Sequence, residues 1–165
     1  MEEKFLQGEG HGAEKSSRFL TKRDLNKPLV GKSFADFDLA KLNGNKFSAE
    51  EKLKSKKTID KLFKEGKSVS QGGFTLIYLA GALNSFYPAW AGFTVSKKYF
   101  KHAIDRNRIR RLMRESYRLN KSMFYEKLIA NKQQMALMLV FKGKLLPDQE
   151  IVTKSVVACL NKVKL

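Results

Sequence analysis

Hydrophobic positions recur along this chain in two different periods, and the switches between them lay out its elements. Leu53, Ile59, Leu62 and Phe63 fall among lysines in a pattern that predicts a helix over residues 48–64. Ser48 and Glu51 have capping-box spacing at its start, and Gly66 stands as its stop. Residues 68–70 and 74–79 read as strands, the second apolar at nearly every position, so that both of its faces need a cover. Residues 81–89 read as a loop with Asn84, Ser85 and Pro88, and residues 90–95 as a third strand. A helical period then runs over residues 104–129: Ile109, Leu112, Met113 and Ser116 share one side, and Phe124, Leu128 and Ile129 continue the apolar stripe. Residues 135–141 form an unbroken apolar run, a buried strand, followed by a turn over 143–147. Asp148 is placed to cap a last helix carrying Val152, Val156, Val157 and Leu160. Helix, strand, strand, strand, helix, strand, helix predicts an α+β fold, a small two-layer sandwich around a four-stranded sheet.

Before residue 48 the periods disappear. Gly8, Gly10, Gly12, Pro28, Gly31 and Gly44 interrupt the chain, so residues 1–47 read as a flexible or partly ordered N-terminal extension and residues 48–165 as the folded domain. Within the extension, Phe34, Phe37, Leu39 and Leu42 could dock as one helical turn.

Charge sharpens this division. The chain has 33 basic and 16 acidic side chains in 165 residues, net +17. Residues 1–48 hold nine basic and seven acidic groups, whereas residues 49–165 hold 24 and nine, so the folded part is the polyanion binder. Residues 96–121 alone contain ten Lys or Arg against Asp105 and Glu115. On a helix, Asn107, Arg111, Arg114, Arg118 and Lys121 fall at i, i+4, i+7, i+11 and i+14, one ridge with Arg106 and Arg110 beside it. A merely solvated face mixes signs in i,i+4 pairs; this ridge hardly does, and guanidinium forks suit bidentate phosphate contacts.

Other chemistry is thin. Cys159 is the sole cysteine, which excludes a disulfide framework and a cysteine-based zinc site and fits a reducing cytoplasm. The start Met1-Glu2-Glu3 lacks a signal pattern, and the run at 135–141 is far short of the roughly 18 residues of a membrane span. A cytoplasmic protein with no membrane partner is expected. The nine acids of residues 49–165 form no nuclease motif, His11 lies in the extension, and His102 lacks a triad partner, so no catalytic side chain is assigned and no metal site on the protein. No a/d heptad follows Lys121, against a zipper-type DNA binder and hence against DNA as partner.

Ser96-Lys97-Lys98 followed by Arg106-Asn107-Arg108-Ile109-Arg110-Arg111 resembles the signature of the protein subunit of bacterial ribonuclease P, the ribonucleoprotein that removes 5′ leaders from precursor tRNAs. Its core pattern, Arg-Asn-x-x-(Lys/Arg)-Arg, is met by Arg106, Asn107, Arg110 and Arg111, and the likeness runs over about residues 53–160. It implies that the RNA subunit is the catalyst, using bound Mg²⁺, while the protein binds that RNA and the precursor tRNA leader. Lys97, Lys98, Arg106, Asn107, Arg108, Arg110, Arg111, Arg114 and Arg118 would meet the catalytic RNA. Lys56, Ile59, Phe63 and Ile77 would line the leader cleft between the first helix and the sheet; family members commonly carry aromatics at the last three, and here only Phe63 is one. The resemblance also implies that the basic helix is a left-handed crossover between parallel strands, against the usual right-handed bias. A non-catalytic RNA-binding protein, such as a ribosomal protein, is the alternative.

Overall fold

A glycine pair makes the first turn of the sheet. Gly72 and Gly73 both adopt positive φ, 56° and 80°, and fold β1 (Lys67–Gln71) back on β2 (Phe74–Ala80) as an antiparallel hairpin. The computed structural model describes residues 46–81, 83 and 85–165. Within them the sheet has the order β1-β2-β4-β3, with β4 (Met135–Phe141) antiparallel to β2 and parallel to β3 (Ala89–Val95). The basic helix α2 (Ala103–Ala130) is the crossover that the parallel pair requires. Helix α1 (Lys56–Glu65) precedes the sheet and α3 (Gln149–Asn161) ends the fold.

Strand alternation explains where the helices lie. Leu76, Tyr78, Ala89, Ala91, Leu137 and Leu139 point to one face, where they bury Ile109, Met113, Tyr117, Phe124 and Leu128 of α2 and Val152, Val156 and Leu160 of α3. Ala136 and Met138 point to the other, where Leu62 of α1 is fully buried with Leu53, and Ile59, Ile77, Leu79 and Trp90 pack around them. Burying one such leucine contributes about 1.5–3 kcal/mol. The sequence-based expectation that β2 needs cover on both faces holds: α2 and α3 form the main layer, and α1 adds a partial layer behind the sheet. Among the described residues, no helix is long and apolar enough to cross a membrane.

One expected boundary moves. The Ser48–Glu51 capping bonds form, with the Glu51 amide donating to Ser48 Oγ at 3.3 Å and the Ser48 amide to Glu51 Oε1 at 3.1 Å, yet no helix follows. Residues 51–53 instead stay extended along β3: Ala91 N–H donates to Glu51 O at 2.8 Å and Leu53 N–H to Ala91 O at 3.1 Å. This covers an otherwise open sheet edge and buries Leu53, gains a helical turn there would forfeit. The helix starts at Lys56, with Ser55 Oγ accepting from the Thr58 amide at 3.3 Å. Phe47, at the end of the expected extension, packs edge-on against Phe93 and Tyr117, each at 5.7 Å between ring centroids. Residues 1–45, including the Phe34, Phe37, Leu39 and Leu42 cluster, lie outside the described residues.

Candidate nucleic-acid interface

The core fixes the basic helix in orientation. Ile109 and Met113 are fully buried against the sheet, so the opposite side of α2 faces solvent, and Asn107, Arg108, Arg111 and Arg114 are exposed along it. Among the described residues no carboxylate pairs with Arg108, Arg111 or Arg114. Arg118 is half-buried and donates from Nε to Glu115 Oε2 at 2.9 Å; that hydrogen bond holds the Glu115 carboxyl below its ordinary pKa. The free cationic row therefore fades at Arg118.

It does not reach Lys121. That residue lies on the expected ridge but is 2% exposed, and its Nζ donates to both carboxylate oxygens of Glu51, at 2.8 and 2.6 Å, and to the Lys46 carbonyl at 2.5 Å. The cause is the segment at 46–53, which crosses α2 at this turn and removes it from solvent. Glu51 Oε2 also accepts from the Tyr125 hydroxyl at 2.8 Å, and burial pushes the Tyr125 and Tyr117 phenols above their ordinary range. Every charge in the cluster has partners, which is what burial of an ion pair demands.

The turn before α2 is held by backbone bonds. Ser96 N–H donates to the Phe141 carbonyl at 3.1 Å, and the Phe100 amide to Ser96 O at 3.3 Å, leaving Lys97 and Lys98 exposed at the sheet's end. Arg106 points back into this turn: one guanidinium nitrogen donates to the carbonyls of Phe100 at 2.9 Å and Lys101 at 2.6 Å. It braces the Ser-Lys-Lys turn against the helix as well as carrying charge. Arg110 folds along the helix toward Asn107 Oδ1, which leaves Asn107 positioning an arginine as well as facing solvent.

Behind the sheet, the residues expected in a leader cleft divide. Lys56 and Phe63 are exposed, Phe63 by 53%, while Ile59 and Ile77 are half-buried in the α1–sheet packing. The last turn of α1 comes so close that a Cβ on Gly66 would overlap the Leu62 carbonyl and lie 2.9 Å from Ile77 Cγ2. On the opposite flank of α1 lies a groove of about 380 Å³, floored by Trp90, Leu79 and Ala136. The indole N–H of Trp90 is buried and has no hydrogen-bond partner among the described residues. Neither Trp90 nor the Glu51–Lys121 pair stands out in sequence. A strand-initial tryptophan reads as core, and Lys121 keeps step with the exposed arginines.

A four-stranded α+β fold with a cation-rich crossover helix defines a small basic protein suited to a polyanion. The chain belongs to the Ribonuclease P family, whose model matches residues 47–164. It is 36% identical over 108 residues to the ribonuclease P protein component of Chlorobaculum tepidum, covering 62% of this chain and 70% of that protein. To the corresponding component of Porphyromonas gingivalis it is 28% identical over 116 residues, 70% of this chain and 85% of that one. In fold it resembles the RNase P protein from Thermotoga maritima, with a TM-score of 0.56 at 21% identity over 68% of this chain and 97% of the other. The RNase P protein of Staphylococcus aureus gives a TM-score of 0.54 at 20% identity, covering 67% and 93%.

Proposed function

We propose that this chain is the protein component of ribonuclease P and that it assists removal of precursor-tRNA 5′ leaders by binding two RNAs. The exposed row Asn107, Arg108, Arg111 and Arg114, with Lys97 and Lys98 at its head, meets the phosphates of the catalytic RNA. Arg106 and Arg110 support that row. The α1 side of the sheet, with Lys56 and Phe63 open to solvent, takes the single-stranded leader. Phe63 supplies the aromatic surface, and Ile59 and Ile77 the apolar floor. The observation that carries this reading is the same-sign row on a helix locked by Ile109 and Met113, in a chain whose family match spans residues 47–164. The match favours it over a ribosomal protein.

Catalysis in this reading belongs to the RNA subunit and its Mg²⁺. Four of the carboxylates on this domain are engaged in ion pairs: Glu51 with Lys121, Glu65 with Lys61, Glu115 with Arg118 and Glu150 with Lys154. The protein's part is electrostatic, since two large RNAs repel and a rigid cationic surface between them offsets that repulsion. Reconstitution tests this. The protein alone should leave precursor tRNA intact, and addition of the ribonuclease P RNA should give cleavage at one 5′ site with a lowered Mg²⁺ requirement. Metal-dependent cutting by the RNA-free protein would contradict it.

A further inference from the structure

The groove on the far flank of α1 is not part of the leader cleft expected at Lys56, Ile59, Phe63 and Ile77, because the helix itself separates the two. Its floor is one row of the sheet in register, Leu79 on β2, Ala136 on β4 and Trp90 on β3, with Leu83 from the following loop closing one end. Lys57 and Lys61 line it from α1, one helical turn apart, and among the described residues no carboxylate lines it. Lys61 does pair with Glu65 at 3.8 Å, but both are exposed, and a surface pair of that length yields easily to a stronger anion. Three properties then coincide: a half-buried aromatic ring lining the groove, aliphatic walls, and two cations at the rim. The volume of about 380 Å³ falls in the range of small-ligand sites. A nucleotide matches all three, with the base on ring and aliphatic wall and the phosphate on the lysines.

We propose that this groove is a second pocket for single-stranded RNA, in which a base stacks on Trp90 and its phosphates meet Lys57 and Lys61. The assignment rests on the reading of the chain as a binder of leader RNA and extends it: the strand would cross α1 and be held on both sides. Because every base has a stacking face, the pocket would tolerate sequence, as a leader-binding surface must.

Trp90 is the only tryptophan in the chain, so it reports on its own pocket. Titration with a short oligoadenylate should quench its fluorescence saturably. Trp90→Leu should weaken oligoadenylate binding about tenfold, Trp90→Phe much less. Lys57→Ala with Lys61→Ala should reduce the magnitude of the log K against log salt slope by about 1.4, since each phosphate of a single strand contributes about 0.7. All of these variants should bind the ribonuclease P RNA through α2 nearly as the wild type does. If Trp90→Leu fails to fold, the lysine pair keeps the test decisive: unchanged oligoadenylate affinity and salt slope in folded Lys57→Ala/Lys61→Ala would overturn the pocket. Oligoadenylate binding without quenching, or quenching with unchanged affinity in Trp90→Leu and in the lysine variant, would overturn the pocket and leave the proposed function standing. Failure of the wild type to bind either RNA would remove both.

Discussion

Lys121→Ala should destabilise the protein by about 3–5 kcal/mol, a large share of the stability of a domain this size. The loss comes less from the missing attraction than from what remains. Glu51 is 1% exposed, and without Lys121 its carboxylate keeps, among the described residues, the Tyr125 hydroxyl and the Ser48 amide as partners, with no counter-charge. Two consequences separate this from ordinary loss of a surface lysine. Replacing both members, Glu51→Met with Lys121→Met, should recover much of the stability, since a buried pair exchanged for apolar groups is often nearly neutral. The segment at 46–53, tied to α2 through this pair, should become protease-sensitive in Lys121→Ala before the rest of the fold does. Denaturant midpoints of the two single variants and the double variant measure the coupling. A shift below about 1 kcal/mol for Lys121→Ala would mean that the lysine reaches water.

Met113→Lys should be more damaging still and leave little folded protein at ambient temperature. Met113 is fully buried between α2 and the sheet, and the new ammonium would find no counter-charge among Ile109, Tyr117 and the apolar strand residues around it. Arg111→Ala with Arg114→Ala, on the exposed side of the same helix, should shift the melting temperature only slightly. The contrast tests whether the two sides of α2 have separate duties. Comparable melting temperatures for the buried-lysine and double-alanine variants would contradict that division.

Much of this was legible because it is local. The continuous apolar run at Met135–Phe141 can only be a covered strand, and Ile109, Leu112 and Met113 fix which side of α2 turns inward. What was not legible depends on distant partners. Ser48 and Glu51 satisfy each other in capping-box fashion, and the backbone still runs on as an extended segment because Ala91, far along the chain, offers an open strand edge. A capping pattern licenses a helix without compelling one. Lys121 sits in step with three exposed positions and the half-buried Arg118, and Glu51, seventy residues away, decides that it is buried. Arg106 likewise counts as one more cation in the sequence, while in the fold it closes the turn that presents Lys97 and Lys98.

If the exposed row on α2 neutralises phosphates of the ribonuclease P RNA, a salt series measures the effect directly. Equilibrium binding to that RNA would be followed from low to moderate salt for the wild type, Asn107→Ala and Arg111→Ala/Arg114→Ala, with melts confirming that each is folded. Each arginine that meets a phosphate should contribute about 1 to the magnitude of the log K against log salt slope, so the double variant should bind more weakly with a slope reduced by about 2. Asn107→Ala carries no charge change and should lose affinity at nearly constant slope. A folded Arg111→Ala/Arg114→Ala protein that binds the RNA with the wild-type slope would show that this row does not face the RNA.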